Sequence, residues 1–167
     1  PPYPTRRSSD LLGPERFLLL GADYMQLAFM RHFAPYLPAE GVGLKNLSST
    51  YGGLHVCGPN AQALVARLAQ YDMDSAHFPF MSARAMTLGD IDDVLVMRVS
   101  FTGETGYEMY LPMERQLALF DLLHREGANL GLGLVGTRCL MHTRLEKHFP
   151  AWALELTADY TPAEAEL

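Results

Sequence analysis

Apolar positions along the chain follow two rhythms, and each predicts a kind of element. Arg16-Phe17-Leu18-Leu19-Leu20 is a short apolar run ended by Gly21, the length of one buried strand. From Ala22 to Tyr36 the rhythm changes. Tyr24, Leu27, Met30, Phe33 and Leu37 recur at three- and four-residue steps, which predicts a helix closed by Pro35 and Pro38. Gly41 to Leu47 and Gly53 to Cys57 read as two strands around the turn formers Ser48, Ser49 and Gly52. Gly58-Pro59 then pre-organises a helix whose core face is Leu64, Val65 and Leu68. A loop with Asp72, Asp74 and Phe78-Pro79-Phe80 leads to two β-rich runs, Val94 to Phe101 and Tyr107 to Leu111. Thr102-Gly103-Glu104-Thr105-Gly106 joins them as a hairpin link whose glycines accept positive φ. Pro112 opens a third helix through Leu117, Phe120 and Leu123, stopped at Gly127, and a fourth runs from Gly136 to His148. Hairpins interleaved with helices, rather than single crossover strands, predict an α+β fold.

Composition narrows the class. The chain has 167 residues, 49% of them apolar and 19% charged, which supports a single core and excludes a disordered polymer. Nineteen acidic against 13 basic residues give a net charge of −6, so a nucleic-acid partner is not expected. No apolar run approaches the roughly 18 residues of a membrane span, so no membrane partner is expected either. Cys57 and Cys139 fall in no metal spacing, which fits a reducing compartment, although the two thiols remain a possible pair. Residues 1–10, beginning Pro1-Pro2-Tyr3-Pro4, read as irregular and carry no secretory pattern, and the whole reads as a fragment of a longer protein.

Several motifs look chemical and are explained structurally. Gly131-Leu132-Gly133-Leu134-Val135-Gly136 satisfies GxGxxG, yet a dinucleotide loop must follow a strand, and here the preceding segment is helical. The glycines are read as a tight strand-to-helix passage. His142, Glu146 and His148 lack the spacing of a zinc site, so no metal is expected, and His32, His55, His77 and His124 show no pairing in the sequence. There is no GxSxG elbow. The second hairpin strand is different. Tyr107, Met109 and Leu111 alternate with Glu108 and Tyr110, which sets a carboxylate among apolar and aromatic neighbours. Taken alone, Glu108 reads as a solvent-facing strand residue. A half-buried carboxylate among such neighbours would accept two donors from a planar heterocycle in a charge-assisted pair, and Phe101, just before the turn, would supply a ring for stacking.

At this hairpin the sequence resembles a known family. Thr102-Gly103-Glu104-Thr105-Gly106-Tyr107-Glu108 is similar to the TGE-x-G-(aromatic)-E signature of the glycine-cleavage T-protein (aminomethyltransferase) family. Gly58-Pro59-Asn60-Ala61, Phe78-Pro79-Phe80-Met81 and Arg144-Leu145-Glu146-Lys147, with Trp152 and Thr161-Pro162-Ala163-Glu164-Ala165, resemble further family segments in the same order. The Arg-Leu-Glu-Lys and Trp version is nearest the folate domain of dimethylglycine and sarcosine dehydrogenases. The resemblance spans residues 11–167 and implies an incomplete folate-binding domain of aminomethyltransferase type.

What the resemblance implies is tetrahydrofolate as cofactor. The implied reaction is capture of a methylene unit from an N-methyl amine to give 5,10-methylenetetrahydrofolate. FAD belongs to an upstream domain of such dehydrogenases. Glu108 matches the glutamate that anchors the pterin, Phe101 and Tyr110 line the pocket, and Asp10 is the candidate for the catalytic aspartate. Leu140 occupies the place of the folate-tail arginine, with Arg138 nearby, and Arg84, Arg98, Arg138 and Lys147 are the cations available to an anionic tail. A non-catalytic regulatory or scaffold relative is the alternative, and a truncated domain is expected to self-associate through its open interface. Bacterial cytoplasm and mitochondrial matrix both suit such a protein.

Overall fold

The computed structural model describes residues 9–13, 15–151 and 154–165, so Trp152 and the segment 1–8 lie outside the described residues. The chain runs β1 (Ser9–Gly13), β2 (Arg16–Leu19), α1 (Gln26–Phe33), β3 (Tyr51–Cys57), α2 (Ala61–Ala69), β4 (Ala83–Leu88), β5 (Ile91–Met97), β6 (Gly106–Pro112), α3 (Gln116–Gly127) and α4 (Thr137–Glu146). Strands β1 and β2 form an antiparallel ribbon, and the other four form one antiparallel sheet in the order β3-β6-β5-β4. This is the expected α+β arrangement of hairpins and helices.

Alternation in β5 and β6 decides where the core sits. Val94, Val96, Tyr107, Met109 and Leu111 are all fully buried on one face of the sheet. Against them α2 lays Ala61, Leu64, Val65 and Leu68, the i, i+3, i+4, i+7 stripe of an amphipathic helix, and α3 lays Leu119, Leu122 and Leu123. Gly58 at φ +125° and Asn60 lead into α2, and Gln70 in the left-handed region ends it. The other face of the sheet keeps solvent contact at Tyr51, Gly53, His55 and Ala85.

Several elements depart from expectation. Gly41–Leu47 is irregular rather than a strand, and β4 arises where a loop was expected. The run from Val94 is a strand only as far as Met97, leaving Phe101 in the connection to β6. Helix α1 is flanked by 3-10 turns and fully buries none of its residues: Leu27 is 65% exposed, while Met30 and Phe33 are half-buried. A 3-10 turn at 113–115 rotates the start of α3, turning Leu117 to solvent and Leu119 inward. The GLGLVG segment links the turn after α3 to α4, a helix-to-helix passage that no strand precedes, which removes any dinucleotide geometry.

Candidate functional site

The solvated face of β6 carries the residues of chemical interest. Because Tyr107, Met109 and Leu111 point into the core, Glu108 and Tyr110 must point the other way, and both are half-buried. Register places Glu108 between His55 of β3 and Met97 of β5, and Tyr110 between Gly53 and Leu95. The Tyr110 hydroxyl donates to Glu108 Oε2 at 2.6 Å. Crowding around the His55 ring holds its pKa below the ordinary imidazole value, with the Glu108 charge pulling it back up, even though part of the residue meets solvent. The result is a carboxylate backed by a phenol and flanked by a largely neutral imidazole at neutral pH.

The connection into β6 is held from within. Ser100 Oγ and the buried Thr102 Oγ1 lie 3.1 Å apart, and Thr102 Oγ1 also accepts from the Glu104 amide at 3.4 Å. Glu104 itself is exposed at the turn. Positive φ belongs to Gly103 (+79°) and not to Gly106. The Lys147 stem lies across Gly103, bringing a cation to the edge of this loop. The Gly58 amide donates to the Thr105 carbonyl at 2.9 Å, fastening the end of β3 to the loop.

Of the residues expected from sequence, Glu108 and Tyr110 are brought into direct contact, and Phe101 is half-buried in the loop that feeds their strand. Arg138 stands exposed in the first turn of α4. Asp10 lies in the separate ribbon, opposite Leu18. Two of the available cations are occupied elsewhere. Arg84 covers the Tyr71 ring at 4.7 Å, and Arg98 donates to the Phe78 carbonyl at 2.7 Å. His55, Gly53 and Lys147 were not singled out together from sequence. The signal for the first was its place midway between Leu54 and Val56 on a strand, which pairs it with whatever faces outward on the neighbour.

The sequence pattern of the GCVT N-terminal domain family matches residues 11–167. The chain belongs to this family. Dimethylglycine dehydrogenase from Homo sapiens is 33% identical over 156 residues, 92% of this chain and 18% of that protein. An aminomethyltransferase from Natranaerobius thermophilus is 35% identical over 130 residues, 77% of this chain and 34% of its own length. The chain therefore spans a minor part of these relatives. The heterotetrameric sarcosine oxidase from Corynebacterium sp. U-96, solved in complex with pyrrole 2-carboxylate, shares the fold at a TM-score of 0.62 and 20% identity, over 77% of this chain and 63% of that one.

Within this GCVT domain the Arg-Leu-Glu-Lys segment has a structural task. Arg144 is buried and donates to the Phe149 carbonyl at 2.9 Å and to Glu155 Oε2 at 2.5 Å. The Arg144 bond, with a second from the Ala151 amide, lowers the Glu155 carboxyl to about 2. A depressed carboxylate contributes stability above its unfolded value and loses it as pH falls through its folded value. The Ala151 amide, which donates to Glu155 Oε2, is therefore expected to stay protected from hydrogen exchange at pH 4 and to lose protection as pH falls toward about 2. Early loss, near the ordinary glutamate value, would show that Arg144 does not hold Glu155. Asp72, Asp74 and His77 also gather their ligand atoms within 4.8 Å. Asp74 Oδ1 there accepts from the Ala76 and His77 amides, closing a turn in the loop, and its contact with His77 raises the imidazole pKa.

Proposed function

We propose that this GCVT domain is the tetrahydrofolate-binding module of a one-carbon-transfer enzyme of the dimethylglycine and sarcosine dehydrogenase kind. Its product would be 5,10-methylenetetrahydrofolate, formed with a methylene unit taken from an N-methyl amine. The observation that carries the reading is the half-buried Glu108 carboxylate, set on the solvated face of the sheet and hydrogen-bonded by Tyr110, within the range that matches the family. Such a carboxylate suits the paired N–H donors of a pterin edge, and the apolar flank of Leu95 and Met97 suits the ring. The residues present fit the group in kind.

The folate would supply the nucleophilic amine. The chain's share is positioning, which in well-aligned systems lowers a barrier by several kcal/mol. Glu108 would anchor the heterocycle, Phe101 would wall it, and Lys147 and Arg138 are the cations left for the anionic tail. Asp10, as proton-transfer group, and FAD in a separate domain complete the proposal. Residues 11–167 would form part of the folate domain, with self-association through its open face. The compartment would be bacterial cytoplasm or mitochondrial matrix.

Calorimetric titration with folinic acid tests the module. Saturable micromolar binding is expected, and Glu108→Gln is expected to weaken it by about tenfold or more, since a hydrogen bond to a charged group is worth about 1.5–3 kcal/mol. Equal affinity in the variant would remove Glu108 from the site. A second reading, a non-catalytic regulatory relative, is favoured by the 30% identity over 130 residues to the pyruvate dehydrogenase phosphatase regulatory subunit of Mus musculus. Folate binding without one-carbon transfer by the intact protein would support that reading.

A further inference from the structure

Tyr110 sits beside Glu108 but need not share its role. Two observations tie it to the carboxylate. The first is the hydrogen bond itself: at 2.6 Å the phenol donates to Oε2 of the carboxylate, a short charge-assisted contact between residues on the same face of β6. The second is the seat beneath the ring. Gly53 lies directly across from Tyr110, and a Cβ built there would stand 3.0 Å from Cε1 and 3.3 Å from Cδ1 of the ring. The ring therefore rests against the β3 backbone, where a side chain at position 53 would lift it away.

We infer that Tyr110 is a positioning residue: seated on Gly53, it fixes the Glu108 carboxylate through Oε2 and leaves the Oε1 side to the ligand, so that its effect on binding passes through the carboxylate. The inference rests on the folate reading of the site. A glutamate has several rotatable bonds, so an untethered carboxylate would present many orientations to a heterocycle that accepts one. On the other flank, His55 lies opposite Glu108 with its pKa lowered by crowding. Near neutral pH it is largely uncharged and does not draw the carboxylate into a competing ion pair.

A double-mutant cycle with folinic acid, read by calorimetry, decides the role. Tyr110→Phe keeps the ring and removes the donor, and is expected to weaken binding by roughly three- to tenfold. In the Glu108→Gln background the same change is expected to add nothing, because its effect passes through the carboxylate. Gly53→Ala, which displaces the ring, is expected to reproduce the Tyr110→Phe loss. Fully additive losses would show that Tyr110 contacts the ligand directly and would overturn the inference. Thermal midpoints close to the parent's confirm that the variants fold. A folate-free readout stands beside the cycle: the 13Cδ resonance of Glu108 is expected to move on Tyr110→Phe, and an unmoved resonance overturns the inference. If the parent chain takes up no folinic acid, the folate reading fails, and this resonance alone decides whether Tyr110 holds the carboxylate.

Discussion

Replacing Tyr107 with alanine is expected to cost the domain about 3–5 kcal/mol, the range of large aromatic truncations in a packed core. Tyr107 is wholly buried, stacks on Phe78 with centroids 6.4 Å apart, and donates its hydroxyl to the Met73 carbonyl at 3.1 Å. Met73 and Phe78 are themselves buried, so this one side chain fastens the loop between α2 and β4 to the underside of the strand that carries Glu108. Truncation opens a cavity and strands the Met73 carbonyl together. Tyr107→Phe keeps the packing and forfeits only the hydrogen bond, about 1 kcal/mol. Denaturant melts of the two variants separate the contributions. Equal small losses would mean that the loop carries its own stability and that β6 is not its anchor. A typical domain has only about 5–15 kcal/mol in all, so the alanine variant approaches the limit of folding.

The same strand shows how much was legible in advance. Strict alternation from Tyr107 to Leu111 is a period-two signal, and it settled both the strand and the direction of Glu108, because one buried face fixes the other. Helix α2 was equally plain, its stripe opened by Gly58-Pro59, although its left-handed stop at Gln70 has no signal in the sequence. Strand β4 was missed although a signal existed. Leu88 and Ile91 pair across Gly89-Asp90, a two-residue turn with Gly89 at φ +62°, and such a dipeptide between apolar residues marks a hairpin. The weak alternation of Ala83-Arg84-Ala85-Met86 hid it. Helix α1 failed differently. Its periodic stripe is real and the helix forms, yet none of its residues is fully buried and only Met30 and Phe33 of the stripe are half-buried, so periodicity here marks an element without marking a core face.

The site was legible only where it lies on one strand. Glu108 and Tyr110 are two residues apart, and period two alone puts them on one face. Their cross-strand company required the register of β3 on β6, which no local pattern encodes, so His55 and Gly53 stayed separate from Glu108. Lys147 reaches the loop from a distant helix end, a contact of sequence-remote parts. Arg144 and Glu155 illustrate the converse. A family-like segment invites a functional reading, whereas its burial and its paired hydrogen bonds assign the arginine to holding the chain after α4 in place.

Gly106→Val is expected to cost the domain more than Thr105→Val, and for a reason that turn chemistry does not supply. Propensity alone favours valine at a strand position. Gly106 has no positive φ to protect, so the left-handed argument belongs to Gly103. What forbids a side chain is space. A Cβ at Gly106 would stand 2.8 Å from His55 Nε2, 2.9 Å from Ser100 Cβ and 2.9 Å from the Val99 carbonyl oxygen. Backbone cannot step aside as a flexible side chain can, so the loop or β3 must shift, and overpacking of this kind costs about 1–3 kcal/mol or more. Thr105→Val next door leaves the Thr105 carbonyl free to accept from Gly58 and is expected to fall within about 0.5 kcal/mol. The valine at 106 also pushes on His55, the cross-strand neighbour of Glu108, so folinic acid affinity should fall with stability. Matched denaturant melts and titrations of the pair check this. Equal stability in the two variants would mean that the approach of Val99 and His55 to Gly106 is not a constraint on the fold, and the close packing of the loop against β3 would have to be abandoned as the reason a glycine stands there.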